Sequence, residues 1–318
     1  MHVRKLVKSG HTSLVVAVPK EWVDRNALKQ GDVVYMVDDG DLLKVTPQIK
    51  KDISKKDTKV INTDGLDFIF VKHEITLAYI NNYSYIIIKG KNFHSMLKDV
   101  KRQVASLVAL EVVEETSERI VAKNFLNMED IEIPTLVRRV DQILRSMFED
   151  MRKVPKSGEY AQTIYERDEE VNRLVLAAFK VMKNAFKDRQ ILEATKLTLD
   201  GIVPNWQLFW TMEKIGDRIK RVSKLIDTLP PKWRMSQSLG ALLQEMESFF
   251  QDGMNAVYKS DAQLADRVSR KRIRIQEHID AFLAETNNPL CSQIAVHLYT
   301  MMININDICK GMRFFSGS

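Results

Sequence analysis

Cysteine is nearly absent from this 318-residue chain, which has only Cys291 and Cys309. Both fall on one predicted helix, too far apart along it to bond. That usage reads as reduced thiols in a cytoplasmic protein and excludes a disulfide framework. Long apolar runs are missing too. None approaches the roughly 20 residues that span a bilayer, and the opening Met-His-Val-Arg-Lys lacks the apolar core of a signal peptide. A large excess of one charge is also absent. Lys and Arg number 48 against 42 Asp and Glu, a net charge of +6. That balance is too mild to name a partner, so the distribution of charge carries more than its total. What is present is ample: 45% hydrophobic residues mark a globular chain with material for two or three domains.

Residues 1–48 read as a small β-rich module. His2–Lys8 and Ser13–Val18 form strands around Ser9-Gly10-His11. Pro19 opens a short helix over Lys20–Ala27. Val33–Val37 and Leu42–Val45 pair around Asp38-Asp39-Gly40, a strong turn signal. So short a unit buries little core alone, and an interleaved dimer is the economical solution. Its charge is segregated. Residues 1–29 carry Arg4, Lys5, Lys8, Lys20, Arg25 and Lys29 against Glu21 and Asp24, while residues 30–48 carry Lys44 against Asp32, Asp38, Asp39 and Asp41. A phosphate-holding surface fits this pattern, and so does a strand edge protected by lysine.

The run Arg4-Lys5-Leu-Val-Lys-Ser-Gly, then Ser13-Leu-Val-Val-Ala-Val-Pro19-Lys-Glu-Trp-Val and Leu28-Lys-Gln-Gly31-Asp32-Val-Val, resembles the AbrB/SpoVT-type swapped-hairpin DNA-binding module. The likeness covers residues 3–46. It implies a homodimer whose basic N-terminal strands and loops contact double-stranded DNA. The matching positions are Arg4, Lys5, Lys8, Lys20 and Arg25. Some modules of this shape only dimerise.

Residues 49–132 begin with a polar hinge, Lys50-Lys51-Asp-Ile-Ser-Lys-Lys-Asp-Thr. A small α/β unit follows: strand Lys59–Asn62, helix Leu66–Asn81, strand Ser84–Lys89, helix Phe93–Leu107, then a hairpin of Leu110–Val113 and Arg119–Phe125. It holds no Gly-rich phosphate loop, no Ser/His/Asp arrangement and no metal-ligand cluster. His73 and His94 are isolated and read as surface or helix-face residues.

Six helical stretches fill the remainder: Thr135–Met151, about Gly158–Phe186, a third with a kink or restart near Pro204, Gln237–Lys259, Asp261–Glu285 and Leu290–Phe314. Pro230-Pro231 divides them three and three, a tandem repeat of three-helix units. In the first repeat Asp168 occupies the seam between Ile164 and Val171. On the next helix Ile202, Trp206, Phe209, Glu213, Gly216 and Lys220 share a face, with Asp217 one turn on. In an antiparallel pair Asp168, Asn172, Glu213 and Asp217 come level. Oxygen ligands so placed suit a hard or borderline cation. Exposed carboxylates paired with Arg167, Lys214, Arg218 and Lys220 fit the same spacing.

Glu213-Lys-Ile-Gly-Asp217, preceded by Asp168-Glu-Glu-Val-Asn172, resembles the PhoU family of phosphate-uptake regulators, archaeal type, over Ile133–Phe314. The resemblance implies a pair of three-helix bundles and a divalent or iron-type metal ion held by Asp168, Asn172, Glu213 and Asp217 in the first. The second repeat departs from that pattern. Arg270-Lys-Arg272 replaces its first acids and Ile303-Asn-Ile-Asn-Asp307 keeps only the last, so an Arg272–Asp307 ion pair is expected in the metal's place. The basic cluster Arg267, Arg270, Lys271, Arg272 and Arg274 exceeds what one acid needs.

The expected fold is thus multi-domain α+β. A swapped-hairpin β module (1–48) precedes a linker and small α/β unit (49–132) and an all-α pair of bundles (133–230 and 231–318). The expected function is a dimeric DNA-binding transcriptional regulator of phosphate uptake, not an enzyme. The alternative is a signalling adaptor that docks on a phosphate transporter or sensor kinase and uses its N-terminus only to dimerise. A di-metal carboxylate enzyme is disfavoured, because no Glu-x-x-His motif lies near Glu213.

Overall fold

The computed structural model describes residues 3–10, 13–39, 42–47, 57–91 and 93–315. It divides into two compact units, Met1–Lys56 and Asp57–Ser318. The expected linker, up to residue 56, and the Gly40 part of the hairpin turn lie outside the described residues, as does His2.

In the first unit β1 (Val7–Ser9) pairs antiparallel with β2 (Ser13–Val15), Val7 opposite Val15 and Lys8 opposite Leu14. These strands are shorter than expected. Gly10 takes φ +75° in the connection, a conformation that favours glycine. Helix α1 (Lys20–Arg25) starts after Pro19, and β3 (Tyr35–Asp39) pairs with β4 (Leu42–Thr46). None of the unit's described side chains is buried. Val3, Leu6 and Leu14 are 79%, 66% and 63% exposed.

The second unit opens with the expected β-α-β-α-β-β order: β5 (Thr58–Asn62), α2 (Phe68–Ile80), β6 (Tyr85–Lys89), α3 (Phe93–Ala105), β7 (Leu110–Glu115) and β8 (Arg119–Asn124). The sheet runs β5-β6-β8-β7, with β5 and β6 parallel and the rest antiparallel. Asp67 caps α2 by accepting from the Phe70 amide at 2.8 Å. Alternation sends Ile61, Ile86, Ile88, Ile120 and Ala122 into a core with the inner residues of α2 and α3. His73 and His94 are exposed, as expected.

Six long helices follow: α4 (Ile133–Met151), α5 (Glu159–Ala185), α7 (Leu199–Thr228), α9 (Gln237–Lys259), α10 (Ala262–Ala284) and α11 (Pro289–Phe315). Two short ones, α6 (Arg189–Ala194) and α8 (Pro231–Arg234), occupy the turns. Capping explains the starts: Thr198, Ser236 and Asp261 accept from the amides of Gly201, Leu239 and Leu264. Pro204 lies inside α7 rather than at its start, and the Asn205 side-chain amide donates to the Gly201 carbonyl at 2.8 Å beside it.

The two repeats pack together. Their apolar residues, from Met128 to Cys309, form one continuous core. Phe148 and Phe250 meet across it at 5.2 Å, the Tyr258 hydroxyl donates to Asp141 at 2.8 Å, and Arg152 pairs with Glu247 at 2.8 Å. The α/β unit packs on α5. The Asn184 amide donates to the Ile80 carbonyl at 3.2 Å, and Lys180, fully buried, places Nζ 4.3 Å from the Tyr79 ring centroid. No described helix is long and apolar enough to cross a membrane.

Candidate functional site

The basic surface of the first unit follows from its strand and helix ends. Lys8 lies in β1 on the face opposite the Val7–Val15 pair. Lys20 opens α1 and Arg25 closes it, where a cation complements the helix dipole. Arg4 and Lys5 precede β1. All five expected DNA-binding side chains are exposed.

In the helical core, α5 and α7 do bring their acids to one place. Asp168 is 2% exposed. Its Oδ2 accepts from the Lys220 ammonium at 2.5 Å and from the Asn172 amide at 3.3 Å. Lys220 also meets Asp217 Oδ1 at 3.1 Å, and the other Asp217 oxygen takes Arg221 Nε at 2.9 Å. Gly216 lies beside the cluster: a Cβ there would be tight against Leu144, at 3.3 Å, and in ordinary contact with Asp168 Oδ1, at 3.7 Å. That Oδ1 is buried without a hydrogen-bond partner.

The electrostatics follow the geometry. Burial raises the Asp168 carboxyl above its ordinary pKa, opposed by Lys220. Burial also raises Glu213, and the charges of Asp217 and Asp168 push the same way. Burial would raise Asp217, but Lys220 and Arg221 outweigh it and hold the carboxyl low. Lys220 is desolvated as well, yet its bonds to Asp168 and Asp217 raise its pKa and keep it charged.

The residues do not fit a metal ion. Among the described residues no group of three or more His, Cys, Asp or Glu is arranged to hold one. An ammonium stands among the acids to which the resemblance assigned a metal: of the four cations in the other reading Lys220 pairs with Asp168 and Asp217, Arg167 pairs with Asp150, and Asp168 is buried rather than exposed.

The second repeat corrects another expectation. Asp307 pairs with Lys310 at 3.4 Å, Arg272 is exposed, and no ion pair joins Arg272 to Asp307. The polar link between α10 and α11 is instead Ser269 Oγ donating to Asn306 Oδ1 at 2.5 Å, with both residues buried. Asn306 faces inward, and its neighbour Asp307 is rotated by about 100° around the helix, away from that seam. The basic cluster of α10 is largely matched: Arg270 by Asp266, Lys271 by Asp252, and Arg274 by Glu245.

Sequence reasoning passed over Lys180. Its signal was the nearly unbroken apolar run Leu174–Met182 around it, which marks a helix segment enclosed on all sides.

Comparison with known families places one part of the chain. Residues 7–53 match the model of the family described as antidote-toxin recognition MazE, bacterial antitoxin. No curated protein matches the chain. The match falls on the basic first unit and begins at β1, so the region that resembles a swapped-hairpin module is also the region similar to an antitoxin-type family.

Proposed function

We propose that the chain is a dimeric DNA-binding regulator of transcription, with the first unit as its DNA-holding part and the helical core as its sensing part. The observation that carries this reading is the first unit itself. It is similar to an antitoxin-type family, exposes Arg4, Lys5, Lys8, Lys20 and Arg25, and buries none of its described side chains. A unit with an unburied apolar surface needs a second copy. Two copies present ten of these cations, suited to phosphate contacts.

The link to phosphate uptake rests on the Glu213-Lys-Ile-Gly-Asp217 resemblance, and the second unit supports it by building three helices, a Pro-Pro break and three helices. The test is fluorescence anisotropy of full-length protein on promoter DNA from a phosphate-transport gene, beside random duplex at the same salt. A preference on the order of 10³ or more supports the reading. Equal affinity for both duplexes removes the phosphate assignment. Binding to neither makes the first unit a dimerisation element and favours the adaptor reading, in which the core docks on a transporter or sensor kinase.

A further inference from the structure

We infer that β5, an edge of the four-stranded sheet, pairs antiparallel with β5 of a second copy of this chain and joins the two sheets into one. The first observation is the open edge. Among the described residues β5 is hydrogen-bonded to β6 alone. The Thr63 amide, one residue past β5, donates to the Lys89 carbonyl of β6. Alternation then turns the amides and carbonyls of Thr58, Val60 and Asn62 to the free side. The second observation is that this edge is unguarded. Lysine often deters edge pairing, but Lys59 is held by Glu74 of α2 at 2.7 Å, and Val60 is 50% exposed. The opposite edge is guarded. There β7 carries Glu111, Glu114 and Glu115 and a register break between Val112 and Glu114, both of which deter pairing.

Charge and connectivity select a second copy as the occupant. With the two strands fully overlapped, Val60 faces the partner's Val60, Lys59 faces the partner's Ile61, and Thr58 faces the partner's Asn62. No like charges are opposed, and the arrangement closes on a twofold axis. The chain also delivers the copy. Strand β4 ends at Thr46 and β5 begins at Thr58, and the chain between them extends at most about 40 Å. A dimer of first units therefore tethers two β5 strands at an effective concentration on the order of mM. Strands of five residues bury far less than the roughly 1,000 Å² of a stable interface, so the pairing rests on the first-unit dimer proposed above.

The test is disulfide formation under mild oxidation in full-length Val60→Cys and Thr58→Cys variants, each checked for helicity by circular dichroism. The native Cys291 and Cys309 are both buried. Twofold pairing sets the two residues 60 about 5.5 Å apart, within disulfide reach. Residue 58 opposes residue 62 and so lies about 13 Å along the strand from its own counterpart. Val60→Cys is expected to form a covalent dimer at least 10-fold faster than Thr58→Cys, and to lose that advantage when Val7→Asp and Val15→Asp are added in the first unit. Light scattering of wild type runs beside it. Equal rates for the two cysteine variants, or no covalent dimer from either, with a dimeric wild type would overturn the inference and leave the first-unit dimer standing. A monomeric wild type would remove both.

Discussion

Lys180→Met is expected to stabilise the protein. At pH 6.5 its melting temperature should rise by roughly 5–10 °C over wild type, and the gap should narrow as pH is raised toward 10. The Lys180 ammonium is fully buried with no hydrogen-bond partner among the described residues. Among the described residues its compensating contact is the Tyr79 ring at 4.3 Å, worth on the order of 0.5–2 kcal/mol. Burial pushes its pKa down to about 7, against about 10.4 in an unfolded chain. Between those values the unfolded state binds the extra proton, so stability rises with pH. The penalty is fully present below about pH 7 and fades by about pH 10.5. It amounts to about 3–5 kcal/mol at one pKa unit per 1.36 kcal/mol. Methionine fills similar space without the charge. Thermal melts of both proteins from pH 6 to 10 check this. Parallel pH profiles for the two would contradict it.

The second large effect concerns the first unit. A Val7→Asp/Val15→Asp variant is expected to be monomeric, with a solution mass near 36.7 kDa where wild type gives twice that. Val7 and Val15 lie directly opposite each other across β1 and β2, and they are 59% and 48% exposed in a single chain. Burying each valine in a twofold interface contributes about 1.5 kcal/mol. The aspartates reverse this and add four desolvated carboxylates per dimer, enough to weaken association by a factor on the order of 10³ or more. Light scattering after size exclusion reads the result. A wild type already monomeric at micromolar concentration, or a variant that stays dimeric, would count against the reading.

Local chemistry made most elements legible. The helix expected over Gln237–Lys259 is found with those limits, because Ser236 supplies a cap and the residue after Lys259, Ser260, turns left-handed at φ 49°. The α/β order is found because period-two and period-3.6 stretches alternate between clear turns. What local pattern does not encode is partner choice. Nothing in the spacing of Phe148, Arg152 and Asp141 says that Phe250, Glu247 and Tyr258 will meet them, so the core that the two three-helix repeats share is not legible in the sequence. The acid cluster was legible by period, and Lys220 stood on the same face, but ammonium and metal suit the same oxygens and spacing cannot choose between them. Arg272 and Asp307 were placed level by counting along the helices, which ignores rotation. Asn306 won the inward position. The short helices α6 and α8 escaped because four to six residues leave no period to read.

The account stands or falls on the first unit holding duplex DNA through its cations, and the most direct measurement is the salt dependence of that binding. Affinity of the full-length protein for a fixed duplex is measured by anisotropy between about 50 and 200 mM salt, beside an Arg4→Ala/Lys5→Ala/Lys8→Ala variant. Wild type should lose on the order of 10³–10⁵ in affinity across that range as counterions are released. The variant, lacking six of the ten basic groups that two chains contribute, should bind more weakly and give a slope less than half as steep. Identical slopes for the two proteins, or no duplex binding at the lowest salt, would contradict the account.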